Sequence, residues 1–160
     1  MEADERAVVE LIAFFRERPC PPPDVRDKKF EGFFARVFGA ALNIGTTFGE
    51  AGLWRGTAIR TTKESEFFAY WKSIANNLHR HIELVREGIE ALHDVGLLPP
   101  QGSVRRLAIM LRCAKRVDLE AQLLRAWIAA TPRGNSKAYE NLLMRADRAE
   151  ALAKRAKGES

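Results

Sequence analysis

The stretch from Thr61 to Gly96, TTKESEFFAYWKSIANNLHRHIELVREGIEALHDVG, constrains the fold more than any other part of the chain. It contains no proline, and Gly88 is the one weak point in its interior. Phe67, Trp71, Ile74, Leu78, Ile82, Val85, Ile89 and Leu92 follow one another in steps of three and four, which places them on one face of a helix. Thr61 and Glu64 have capping-box spacing, and Gly96 suits the position just past a helix end. The spacing predicts one long helix over about 62–95, roughly 50 Å from end to end at about 1.5 Å per residue. In a chain of 160 residues such a rod needs other helices packed along it. Its opposite face carries Lys72, Asn76, Arg80, Glu83, Arg86, Glu87 and Glu90, a mixture of signs that reads as solvated.

The remaining segments supply those helices. Residues 3–17 bring Val8, Leu11, Ile12 and Phe15 to one face, and Pro19 with Pro21, Pro22 and Pro23 ends the run in a stiff connector. Residues 28–42 place Phe30, Phe33, Phe34, Val37 and Phe38 on a stripe expected to face the core. Residues 43–60 have glycines at 45, 49, 52 and 56 and no lasting period, so they read as a loop holding Phe48, Trp54, Arg55 and Arg60. That loop either stacks bases or tucks onto the core through Trp54. It is no P-loop, because no Gly-Lys-Ser/Thr follows. After the break at Pro99-Pro100, Ser103 is expected to cap a helix over 104–115, Asp118 one over 119–130, and Ser136 one over 137–156. No segment alternates with period two. The fold expected is all-α, a single-domain bundle of five or six helices over 1–157, with 158–160 frayed.

Charge separates the two parts of the chain. Residues 1–99 hold 13 Lys/Arg against 15 Asp/Glu, while residues 100–160 hold 13 against 6. The net +5 and the pI of about 9.5 therefore belong to the C-terminal part. A one-sided basic distribution is the footprint of a phosphate-bearing partner. Arg105, Arg112 and Arg116 fall at i, i+7 and i+11, with Arg106 and Lys115 beside them and Arg145 and Arg148 on the last helix. These seven are the candidate nucleic-acid contacts. Neither Arg112 nor Arg116 lies on the apolar stripe, so reversing their charge is expected to leave the fold intact.

Other chemistry is thinly represented. His79 and His81 are two apart and point to opposite sides of a helix, and His79 with Glu83 makes only two ligands, so no metal site and no cofactor is expected. Cys113 lies in the basic run LRCAKR, which favours a thiolate, but no histidine is near and it reads as a buried helix cysteine. Cys20 and Cys113 read as free thiols of a reducing cytoplasm. No apolar run approaches the length of a membrane span, and the acidic N-terminus is unlike a signal peptide. Arg86 and His93 match the Arg-to-His spacing of helical HEPN ribonucleases, though Glu87 stands where that family usually has Asn, Asp or His. A helix–turn–helix from 104–115 and 119–130 is conceivable, although the joint at Arg116-Val117 lacks the usual glycine.

From Arg105 to Trp127 the chain reads RRLAIMLRCAKRVDLEAQLLRAW. A basic leucine-rich helix, then Val117-Asp118, Leu123-Leu124 and Trp127, resembles the C-terminal region of the small subunits of CRISPR effector complexes. The resemblance covers about a seventh of the chain. It implies a non-catalytic protein present in several copies along a guide-RNA complex, bridging larger subunits and steadying the target or displaced strand. The function expected is thus a cytoplasmic nucleic-acid-binding subunit whose partners are RNA or single-stranded DNA, larger subunits and further copies of itself, with no membrane. The alternatives are a ribonuclease using Arg86 and His93, and a helical adaptor for a protein partner.

Overall fold

A computed structural model describes residues 2–42, 64–134 and 136–158, and helices account for most of them. They are α1 (Glu2–Arg16), α2 (Pro23–Leu42), α3 (Glu64–Ile74), α4 (Leu78–Val95), α5 (Gln101–Cys113), α6 (Val117–Ala130) and α7 (Lys137–Ala156). Among the described residues there is no strand. The all-α expectation therefore holds, with seven helices described rather than five or six. The glycine-rich stretch 43–60 lies outside the described residues.

The long helix expected over 62–95 is two helices. Asn77 takes an extended conformation and its side chain accepts a bond from the Arg80 backbone N–H at 3.0 Å, so the chain restarts a helix there. The apolar stripe survives the break, since Ile74 and then Ile82, Val85, Ile89 and Leu92 are all buried. Trp71 and Leu78 are half-buried. Trp71 stacks on His81 of α4 with ring centroids 5.5 Å apart, and the Arg80 Nε donates to the Tyr70 hydroxyl at 2.7 Å, which docks α3 against α4.

Two helix starts also differ from expectation. α2 begins at Pro23 inside the proline run, because a proline has no N–H to lose in a first turn. α5 begins at Gln101, two residues before the expected cap, so Ser103 is buried inside the first turn and no side chain caps this helix. The Ser136 cap on α7 is as expected, its hydroxyl accepting from the Tyr139 N–H at 3.2 Å.

One core draws side chains from α1, α4, α5, α6 and α7, with Phe15, Leu11, Ile89, Leu92, Leu107, Leu123, Leu124 and Trp127 almost fully enclosed. α6 is central, packing on α7, α1 and α5, while α4 packs on α5, α2 and α1. α2 sits at the margin. Its Phe33 is buried, but Phe30 is 42% and Phe34 55% exposed, so the aromatic stripe does not face the core as expected. The side chains of Val37 and Phe38 lie outside the described residues.

α4 ends at Gly96, which adopts φ 73°, and a Cβ there would come within 2.4 Å of the Arg26 carbonyl oxygen of α2. Glycine is needed twice over, for the left-handed turn and for the close approach. Gly96→Ala is expected to destabilise the protein by about 2 kcal/mol or more, read as a lowered midpoint in urea.

His81 is fully enclosed, and among the described residues neither of its ring nitrogens has a hydrogen-bond partner of normal geometry. Burial and the nearby Arg106 charge push its pKa below the usual imidazole range, and the Ile74 backbone opposes this only in part. His93 is shifted the same way by burial and Lys29. The unfolded chain then binds more protons than the folded one just below about pH 6.5, so stability falls as the pH drops through that point. The melting temperature is expected to decline between pH 7 and pH 5, and to decline less in His81→Leu.

Candidate nucleic-acid interface

α6 carries an acid where its sequence calls for an apolar residue. Glu120 lies three, four and seven residues before Leu123, Leu124 and Trp127, so the helix turns it inward and its side chain is 0% exposed. An enclosed carboxylate is tolerated only when paired and hydrogen-bonded. Arg112 of α5 donates its Nε to one carboxylate oxygen, and Arg145 of α7 donates its Nε to the other at 2.7 Å. Three helices are thereby tied through one side chain, and two cations against one anion leave a local charge of +1.

Arg116 is tied as well. It donates from Nε and Nη2 to the two carboxylate oxygens of Asp118, each at 3.1 Å, and pairs with Glu5 of α1. The hydrogen bonds to Arg116 hold the Asp118 carboxyl below its usual range. Asp118 thus pairs inside the first turn of α6 rather than capping it. Arg106 donates to the Ala75 carbonyl at 2.6 Å and to the Asn76 side chain at 2.9 Å, so it stabilises the break between α3 and α4.

Of the seven cations singled out, Arg106, Arg112, Arg116 and Arg145 therefore hold the fold. Arg105, Lys115 and Arg148 are exposed, and among the described residues they make no ion pair or side-chain hydrogen bond. The expectation that Arg112 and Arg116 can be reversed without structural cost is overturned, because each answers a carboxylate that the helix packing fixes. Lys115 stands in the α5–α6 joint at φ 59°, in the left-handed position where a glycine is usual.

The structure also adds one cation, Lys137, to those that the sequence grouped. A groove of about 370 Å³ runs between the N-terminal halves of α5 and α7, lined by Gln101, Arg105, Lys137, Asn141 and Arg145 among others, and among the described residues no carboxylate lines it. Lys137 was not singled out by spacing; its signal was its place as the first residue after the Ser136 cap.

The other candidates fall elsewhere. The Arg86 guanidinium lies 4.7 Å from the Phe14 ring centre, and the His93 carbonyl accepts from Lys29. Among the described residues no hydrogen bond joins Arg86 to His93. Cys113 is exposed rather than buried, because α5 ends there and turns its last residue to solvent. His79 is exposed and pairs with Asp4 at 3.3 Å. Among the described residues no group of three or more His, Cys, Asp or Glu is placed to hold a metal, and no helix is long and apolar enough to cross a membrane. Leu123, Leu124 and Trp127 are core residues.

Comparison of the chain with protein-family models, with curated proteins and with solved structures finds no match.

Arg112→Glu would set a second carboxylate against the enclosed Glu120. It is expected to destabilise by about 3–5 kcal/mol and to lower the melting temperature by about 10 °C. Arg105→Glu, made at an exposed and unpaired position, is expected to leave the melting temperature within about 1 °C.

Proposed function

We propose that this chain is a non-catalytic nucleic-acid-binding subunit that grips the phosphate backbone of a single strand with the α5–α7 face. The observation that carries this reading is the groove walled by Arg105, Lys137 and Arg145 with no carboxylate among the described residues of its lining. Arginine forks and a lysine set around a concavity suit phosphate oxygens, and they give affinity without reading sequence. Arg148 on α7 and Lys115 in the α5–α6 joint are exposed as well and add positive charge to the surface. The +7 balance of residues 100–160 supports the reading at the scale of the chain. The resemblance of Arg105–Trp127 to CRISPR small subunits supports a place inside a cytoplasmic ribonucleoprotein, beside larger subunits and further copies of this chain.

Phosphate contacts release counterions, so affinity should fall steeply with salt. Fluorescence anisotropy with labelled single-stranded RNA and DNA, at several salt concentrations, measures this. Arg105→Glu combined with Lys137→Glu is expected to weaken binding at least tenfold and to reduce the salt slope by roughly 1–1.5, with the melting temperature kept. Wild-type protein that fails to bind either strand at low salt overturns the proposal.

A further inference from the structure

α3 stands apart from the rest of the bundle. Among the described residues the apolar core takes side chains from α1, α4, α5, α6 and α7, and none from α3. The described ties of α3 gather at its C-terminal end. Ile74 is buried there, Trp71 stacks on His81 of α4, and the Tyr70 hydroxyl accepts from Arg80. Just past the helix, the Ala75 carbonyl and the Asn76 side chain accept from Arg106 of α5. The Trp71 ring also lies over Gly102, where a Cβ would come within 3.5 Å of it, so this one ring bridges α4 and α5.

His81 sits at the centre of this joint, 0% exposed, and the site suits only a neutral ring. An imidazolium carries two N–H donors, and each needs an acceptor. The acceptor that acts on His81 is the Ile74 carbonyl, which already takes the Asn77 N–H at 2.8 Å. The charge that acts on it is Arg106 of α5, a like charge to an imidazolium. No described carboxylate answers from the helices around it. α5 has no acidic residue, and Lys72 of α3 is a further cation. On α1, Asp4 pairs with His79, Glu5 with Arg116 and Glu10 with Arg6. On α2, Asp27 pairs with Arg26, and Asp24 and Glu31 are exposed. On α4 itself, Glu83 and Glu87 take Arg80, and Glu90 is exposed. A charge with neither acceptors nor a counter-ion is poorly tolerated in an enclosed place, so a proton on His81 favours an open joint.

We infer that this joint is a proton-operated latch: α3 lies docked while His81 is neutral and comes away from α4 and α5 when His81 takes a proton, with the core of the other helices intact. In the open form the ring meets water and titrates near about 6.5. Above that pH both forms are neutral, and docking has its full strength. Below it the open form binds a proton that the docked form refuses. The ratio of open to docked molecules then rises toward tenfold per pH unit, until the docked ring titrates too. Release uncovers the α4–α5 surface beneath Trp71 and parts the Arg106 guanidinium from Ala75 and Asn76. The latch is independent of the strand-binding reading, since it uses neither Arg105 nor Lys137.

Amide hydrogen exchange on the full chain tests this, read by mass spectrometry on peptides from α3 and from α6. Labelling times are scaled to the intrinsic exchange rate at each pH. The α3 amides are expected to exchange at least about 100-fold faster than those of α6 throughout, the mark of a local opening. Their protection is expected to fall about tenfold between about pH 7.5 and pH 5.5. In His81→Leu, which keeps an apolar side chain under Trp71, α3 protection is expected to stay constant over that range. A second measurement works on the wild-type chain alone. The ring-proton signal of His81, followed by NMR, is expected to titrate at least about one pH unit below the free imidazole value of about 6.5. The inference is overturned by α3 protection that does not change with pH, by the same fall in His81→Leu, or by a His81 pKa at or above the free value. Protection of α3 equal to that of α6 overturns it as well, because the helix then leaves only when the whole chain unfolds.

Discussion

One enclosed carboxylate sets the arrangement of the C-terminal half. Glu120 sits in the apolar face of α6, and only the guanidinia of Arg112 and Arg145 make that position tolerable. The pairing works in both directions. The acid is acceptable because α5 and α7 each bring an arginine, and α5 and α7 are fixed in rotation about their own axes because each arginine must reach the acid. Leucine packing is less demanding, since apolar contacts slide with little loss. Replacing the triad with apolar residues of similar volume need not weaken such a core, so its contribution lies chiefly in fixing which faces meet. The rotation it fixes puts Arg105 and Lys137 on opposite sides of one groove.

The same accounting of charge runs through the surface. Arg116 joins α1 to the α5–α6 joint through Glu5 and Asp118, and Arg125 of α6 is answered by Asp147 and Glu150 of α7. Much of the positive charge that marks this half of the chain is therefore neutralised locally. What stays open is spread over Arg105 and Lys137 near the first turns of α5 and α7, Lys115 and Arg133 in the joints, and Arg148, Lys154, Arg155 and Lys157 along α7 and at its end. A basic composition has been sorted by folding into a structural share and a larger share that faces outward.

The helices were legible in the sequence because their apolar residues recur every three or four positions. The break at Asn77 was not, because the stripe from Trp71 to Leu92 continues through it in step. Its local signal is the asparagine three residues before Arg80, and its tertiary support is Arg106, which comes from 31 residues beyond Ala75. The site was legible in part. The excess of arginine in residues 100–160 pointed to the helices that line the groove, but spacing along one helix says nothing about Glu5 or Glu120, which decide which arginines are committed. Glu120 did carry a signal, since it falls in register with Leu123, Leu124 and Trp127.

Lys115 shows what a single backbone angle does for a flexible side chain. A non-glycine residue held at φ 59° sits in a narrow well and costs the fold on the order of 1 kcal/mol that glycine would not. In return, its Cα–Cβ bond leaves the α5–α6 joint in one fixed direction. A lysine on a helix face shares its orientation with its neighbours a turn away, whereas this one projects from the corner along a line of its own. The bend between two helices thereby acts as a mount for a cation, and its bearing is set by the main chain.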